Sequence, residues 1–549
     1  MNIFSFIVYI IIMNFKEIFN KLIKYNDKSN YYFSLMPQPD NSSVKTPEAD
    51  YKVFPNIKEN LDFLKSKYNA LICPDIIIRE FNMFANNKDY KCFIICIDGL
   101  FDSISINDFI LEPLMTGKTK HNKPYDGNLC EFVDNCLLPQ NSVKKVEDYK
   151  DVFSGINMGD CLLFIDTLSI AFDIDVKKYE QRSINTPENE AVIKGPQEGF
   201  VENIRTNTSI IRRIVNTENL VIETIPVGKI SQTKCGICYI HNIANSDLVA
   251  EAKYRLSNLD IDSLISTGQL EQLIESDEGF GIPQVLSTER PDKCAKYLFQ
   301  GRVVVIVNGN PYAIILPATI EDFLFSPEDT NLRPLFANFL RGIRVLATLI
   351  TLLLPGVYLA ITSFHQELLP TELLFSILSA RENVPFPIIF ELLLMEISFE
   401  LIREASLRVP SPIGSSIGIV GALVLGDAAV NAGIVSPILI IVVAITGIAS
   451  FAIPDFSFGF HIRVFRFWFV ALGVTTGFLG IGVGLFIYVS MLCNLKSFGV
   501  FYTTPLAPQY NTYGNGFFIP PIWKQEYRTN FIAPKKKMSQ DKISMKWRR

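Results

Sequence analysis

Apolar positions follow two different rules along this chain. From residue 13 to 335, short apolar runs alternate with polar stretches; from 345 to 493, apolar runs of membrane-spanning length dominate. In the first part the pattern recurs. CFIICIDGL at 92–100 predicts a strand and is followed by a helical stretch at 106–115; CGICYIHNI at 235–243 predicts a second strand, followed by a helical stretch at 248–256. Each is followed by a hairpin pattern, at 159–174 and 301–316, joined through Asp166-Thr167 and Asn308-Gly309-Asn310-Pro311. Positions 92 and 235 lie 143 apart, and 159 and 301 lie 142 apart. The shared order and offset predict two related α/β subdomains, at 56–180 and 225–335.

The connector at 181–224 contains a turn enforced by Gly195-Pro196 and Gly199, then a basic helix. Two readings stand. One is an inter-domain linker with a solvated helix. The other is a surface docking on a neighbouring subunit through Pro196, Glu198, Gly199, Phe200, Arg205, Arg212 and Arg213. Residues 1–55 read as an extension. The first twelve are apolar but short of the roughly 20 residues a span needs, and they lack the marks of a signal peptide. Met13 is an alternative start, and 25–55 reads as a loose polar linker.

Within the membrane domain, 336–495, four spans are predicted at 345–364, 413–431, 434–453 and 467–493. Small-residue spacing at Gly473/Gly477 and Gly480/Gly484 marks packing or gating faces. The segment 386–407 is apolar yet carries Glu391, Glu396, Glu400, Arg403 and Glu404. Glu396, Glu400 and Glu404 fall four apart, on one helical face. Either the helix spans or re-enters the membrane with its carboxylates turned inward, or it lies at the interface with them in water. Asp427 sits inside the 413–431 run. These four carboxylates are the candidate ion-pathway residues, because an acidic pore lining favours cations.

Charge sets the topology. Arg341 and Arg344 precede the first span. The tail at 496–549 ends with Lys535, Lys536, Lys537, Lys546, Arg548 and Arg549. Both therefore read as cytoplasmic, which requires an even number of crossings. Four spans plus an acidic re-entrant helix satisfy this, as do six if the last run splits. The fold class is thus α/β plus a bundle of about 4–6 transmembrane or re-entrant helices.

Composition narrows the function. Charged residues make up 19% and mean hydropathy is +0.23, outside the range of a simple soluble enzyme. The net charge of −5 gives no nucleic-acid footprint. Cys235 and Cys238 form the one close cysteine motif, open to a redox site, half a metal site or a plain strand core; four scattered histidines add no ligand set. No nucleotide loop, metal or cofactor is indicated.

Several stretches resemble the spore germinant receptor A-subunit family (the GerA family): IDGLFDSISINDFILEPLM at 97–115, EAVIKGPQEGFVENIRTNTSIIRR at 190–213, LLPTELLFSILSARENVPFP at 368–387, LLLMEISFELIREASLRVPSPIG at 392–414, IVGALVLGDAAVNAGIVSP at 419–437 and SFGVFYTTPLAP at 497–508. Asp427 and the Cys235–Cys238 strand depart from the family pattern. The resemblance implies an integral protein of the spore inner membrane, with soluble domain and tail on the core side. It also implies a permease-like B subunit that binds the nutrient, a lipoprotein C subunit, and a homo-oligomer, expected as a pentamer, that conducts monovalent cations. SpoVAF-like paralogues, which amplify germination, and a non-conducting scaffold are the alternatives.

Overall fold

The computed structural model describes residues 33–39, 52–85, 88–116, 129–140, 142–178, 187, 190, 192–276, 281–382, 384–408, 426–509 and 518–540. The apolar start and the Met1/Met13 choice lie outside these residues, as does most of the predicted span at 413–431.

The repeat is visible as two five-stranded sheets. The first contains β1 (Ile76–Ala85), β2 (Lys88–Ile97), β3 (Val143–Val146), β4 (Cys161–Ile165) and β5 (Ala171–Ile174). The second contains β6 (Leu220–Val227), β7 (Thr233–Ile240), β8 (Leu286–Thr288), β9 (Val303–Val307) and β10 (Ala313–Leu316). Their strand orders correspond, β1-β2-β4-β5-β3 and β6-β7-β9-β10-β8, and every neighbouring pair is antiparallel. From Cys92 to Ile97 β2 is continuously apolar because both of its faces are covered: Phe93, Ile95 and Ile97 enter one hydrophobic cluster, and Cys92, Ile94 and Cys96 another. Helices α1 (Ile57–Lys67), α2 (Tyr149–Met158), α3 (Ile204–Ile214), α4 (Ser246–Ser257) and α5 (Pro291–Gln300) flank the sheets. Asparagine side chains at 56, 203 and 245 cap α1, α3 and α4. One hydrophobic cluster runs through both units, from Leu64 and Phe93 to Ile237 and Val305.

The C-terminal half is helical: α6 (Pro334–Phe364), α7 (Thr371–Arg381), α8 (Ile388–Arg408), α9 (Pro437–Phe451), α10 (Phe456–Thr476) and α11 (Phe478–Asn494). Among the described residues, α6 and α10 are long and apolar enough to cross a membrane; α9 and α11 are shorter apolar helices. The run at 467–493 is not one span. It breaks at Gly477, whose φ of +64° and ψ of −141° suit only glycine, and α11 folds back so that Gly484 meets Leu472 of α10. Hydropathy does not show this break because the turn residue is itself uncharged. The predicted span at 434–453 shortens to the 15 residues of α9, started by the Ser436 side chain.

The described part of the tail returns to the second α/β unit. Ser497 Oγ donates to the Gln284 carbonyl at 2.6 Å, and Arg528 Nε donates to the Phe299 carbonyl at 2.7 Å. Phe531 and Ile532 are buried in the cluster shared by the two units. Part of the linker packs as well: Met36 accepts from Asn245, and Phe33 lies against Gly499. Because 496–540 packs on the soluble half, both ends of the helical half lie on one side of any membrane it crosses.

At the head of α6, Asp329 binds Arg344 at 2.7 and 2.9 Å and Arg341 at 3.1 Å. The two arginines read as topology signals are thus also a clamp. Beside it, burial and then the neighbouring Asp322 push the Glu321 carboxyl up to about 8, so it is neutral at pH 7.

α6 and α10 cross at two glycines. A Cβ on Gly356 would lie 2.7 Å from the Phe469 carbonyl oxygen, and one on Gly473 would collide with the Gly356 backbone. Replacing Gly356 by Val should destabilise the purified protein by about 1–3 kcal/mol, read as a lower midpoint in a thermal unfolding scan. Gly482→Val, where a Cβ meets open space, should change the midpoint little.

Candidate functional site: a buried charge network in the helical half

α8 is amphipathic in the reverse sense to a helix on water. Its exposed stripe is apolar from Phe390 through Leu394 and Ile397 to Leu401, at i, i+4, i+7 and i+11, and ends at the exposed Glu404 one turn further on. Its buried side carries Glu391, Glu396 and Arg403 beside Leu392 and Met395. A helix lying at an interface would turn those charges outward. This orientation supports the inward-facing reading of the two open at the sequence level.

Each buried charge has a partner. Glu396 Oε2 lies 2.8 Å from Arg466 Nη2 of α10, and each side chain is 1% exposed. The same Arg466 nitrogen donates to Glu400 at 3.1 Å. Glu400 also pairs with Arg403 at 3.4 Å, and Arg403 Nη2 donates to Ser450 Oγ of α9 at 2.7 Å. These two carboxylates and two guanidiniums join α8, α9 and α10. At the other end of α8, Glu391 binds Arg381 of α7 at 3.1 Å and accepts the Ser436 N–H at 3.0 Å where α9 begins.

The predicted acidic face is therefore not one surface. A spacing of four advances about 40° round a helix, so the side chains rotate from inside to outside. Glu396 is buried, Glu400 is about one-third exposed, and Glu404 is exposed; Asp427, in the helical stretch 426–431, is exposed too. The glycines have distinct places: Gly473 at the α6 crossing, Gly477 at the helix break, Gly480 against Leu472 and Thr476, and Gly484 beside Phe469 and Trp468.

The docking candidates tie the chain to itself. Arg212 is a correction: it is buried, with Nε 2.7 Å from Asp75 and Nη1 donating to the Leu220 carbonyl at 2.8 Å. Arg205 pairs with Asp98, and Arg213 with Glu198. Phe200 is buried, its N–H bonded to Glu289, and Gly199 is buried beside it; the Pro196 carbonyl accepts from Arg290 at 2.8 Å. Asp75 precedes β1 and Asp98 follows β2, so Arg212 and Arg205 hold the first unit to the second. Sequence reading missed both aspartates, which lie 137 and 107 residues from their arginines. A cavity of about 250 Å³ opens at this junction, lined by Gly99, Asp102, Lys178, Asn203, Arg205 and Ser209.

Cys235 and Cys238 are both buried on β7 but enter different hydrophobic clusters, on opposite faces of the sheet. Burial pushes the Cys235 thiol up to about 12 and raises the Cys238 thiol as well. They are packing residues, and neither a shared metal nor a mutual disulfide fits them. Among the described residues, no group of three or more His, Cys, Asp and Glu side chains is placed to hold a metal.

The architecture is a duplicated α/β half fused to a helical half in which, among the described residues, two helices are long and apolar enough to cross a membrane. A sequence model described as "Bacillus/Clostridium GerA spore germination protein" matches residues 62–531. The chain belongs to that family. It is 38% identical over 497 residues to spore germination protein KA of Bacillus subtilis (strain 168), covering 90% of each chain. It is 35% identical over 498 residues to spore germination protein GerLA of Bacillus cereus, covering 91% of this chain and 96% of that one. It is also 37% identical to the uncharacterized membrane protein YfkQ of B. subtilis, covering 86% and 90%. Among solved structures, the N-terminal domain of the A subunit of the Bacillus megaterium spore germinant receptor GerK3 aligns at 29% identity and a TM-score of 0.39, covering 50% of this chain and 99% of that one.

If the network holds α8 to α10, its members are energetically coupled. Arg466→Met alone should cost about 3–5 kcal/mol, because it strands Glu396 in a buried site. The double variant Glu396→Gln/Arg466→Met should cost less than the sum of the two single changes, as read from unfolding in detergent. Strict additivity would mean the pair makes no contribution of its own.

Proposed function

We propose that this chain is the membrane subunit of a spore nutrient germinant receptor, oligomerising around a path for monovalent cations whose release triggers germination. The observation that carries the reading is the inward charge of α8, which keeps carboxylates at membrane depth and away from lipid. In this reading Glu396 and Glu400 hold the helices together, while the exposed Glu404 and Asp427 meet the permeating ion. The glycine break at Gly477 and the tight contacts of Gly473, Gly480 and Gly484 give the helices next to the network close, small-residue interfaces able to shift. The domain division is 1–55, 56–180, 181–224, 225–335, 336–495 and 496–549. The soluble half and the tail face the spore core, and the helical half sits in the inner membrane.

The nutrient binds a permease-like B subunit, with a lipoprotein C subunit completing the receptor, and the A-type subunit assembles as a pentamer. No catalytic step and no cofactor enter this scheme. The solved relative is described as part of a germinant receptor A subunit, and the high identity to spore germination protein KA over nearly the whole chain supports the same role here.

The test is potassium release from spores carrying Glu404→Gln/Asp427→Asn at normal protein level. Release after nutrient addition should slow several-fold. Normal release would remove both residues from the ion path. Deleting the gene and testing single nutrients separates the receptor from an amplifying paralogue: a receptor loses its response to one nutrient class, an amplifier slows the response to all.

A further inference from the structure

α6 starts eleven residues before its uncharged run opens at Val345. One side of that lead-in is the Arg341 and Arg344 clamp on Asp329. The other side is apolar and exposed: Leu335 at 77%, Phe336 at 56%, Phe339 at 68% and Ile343 at 43%. The returning tail is fastened beside this stripe by a two-way hydrogen bond. Asn338 Nδ2 donates to the Ile519 carbonyl at 3.1 Å, and the Ile519 N–H donates to Asn338 Oδ1 at 2.8 Å. That bond holds three more exposed apolar side chains at the same level, Phe518 at 68%, Ile522 at 66% and Trp523 at 44%. Two segments 180 residues apart in sequence thus build one apolar surface, and the exposed cations Arg333 and Lys524 stand next to it in the chain.

Helix rise sets its depth. At about 1.5 Å per residue, Ile343 and Phe339 stand about 3 and 9 Å beyond the start of the uncharged run. The headgroup layer is about 5–8 Å thick on each side of the hydrocarbon, so Ile343 lies within it, Phe339 at its outer edge, and the tail segment at Asn338, about 10.5 Å out, just beyond that edge. Aromatic rings favour that layer, and Trp is suited to it because its ring is apolar and its N–H stays wet. Flanking Lys and Arg favour anionic lipid there.

We propose that Phe336, Phe339, Ile343, Phe518, Ile522 and Trp523 form a membrane-interface anchor that seats the second α/β unit on an anionic lipid surface. Its consequence is mechanical. The tail, the head of α6 and the second unit are fixed to one another and to the lipid, so movement in the helical half is delivered to the soluble half at a defined height. The proposal rests on α6 crossing the membrane and does not depend on the ion path.

The test uses the full chain in phosphatidylglycerol-containing nanodiscs, with Trp523 as sole tryptophan (Trp468→Phe and Trp547→Phe). Lipids brominated near the glycerol end of the acyl chain should quench Trp523 several-fold more than lipids brominated at the chain terminus. A second variant moves the sole tryptophan to α11 with Phe486→Trp and Trp523→Phe, since Phe486 is 73% exposed midway along that helix; the deep bromines should quench it. If the α11 probe is quenched and Trp523 is not, the anchor is wrong while the membrane reading stands, and the patch is covered by protein, such as a second copy of the chain. If neither is quenched, both are wrong.

Discussion

A buried charge must be answered by protein, and the helical half is arranged around that requirement. Glu396 and Arg466 are each almost fully buried and face each other across α8 and α10. Removing Arg466 leaves Glu396 a bare charge at a cost of several kcal/mol, so the two helices are bound to one relative position. Arg403 extends the bond to α9 through Ser450, and Glu391 extends it to α7 and to the first turn of α9. The contact of Gly356 with the Phe469 backbone then fixes α6 against α10. The bundle therefore has few independent parts. A change in one ion pair is felt by four helices.

The second α/β unit is the other half of this coupling. Its hydrophobic core continues into the helical half, since one cluster contains Leu286 and Val304 of the sheet as well as Leu352, Phe458 and Tyr488 of the helices. The Asp329 clamp holds the start of α6, and Ser497 and Arg528 hold the chain after α11. The first unit is attached less directly, through the shared core and through Arg212–Asp75 and Arg205–Asp98. Among the described residues, the second unit shares a core both with the first unit and with the helices.

The repeat was legible because it depends on local signals: alternating apolar runs, turn residues and equal spacing all survive in one dimension. The strands at 92–97 and 235–240 and both hairpins stand where those signals lie. The outer strands β1 and β6 gave no clear signal, as IIIREFNMFA and LVIETIPV mix apolar and charged residues. Charge partners were not legible at all. Arg212 reads as a surface cation until Asp75 is placed beside it, and Glu396 reads as pore lining until Arg466 is. The packing of the tail was not legible for a related reason: the residues that dock it, Arg528, Phe531 and Ile532, are too few to form a pattern. The glycine hinge at 477 lay inside an apolar run where hydropathy has no contrast.

The inward orientation of α8 underlies both the network and the helix packing. Spin labels on single cysteines at 394, 397 and 401 test it directly, in a background lacking the exposed Cys136 and the partly exposed Cys130 and Cys493. In reconstituted bilayers, the account predicts that labels at 394 and 397 are relaxed strongly by oxygen, which partitions into lipid, and weakly by a water-soluble nickel chelate. Strong relaxation by the nickel chelate at all three positions would place the apolar stripe in water and contradict the account.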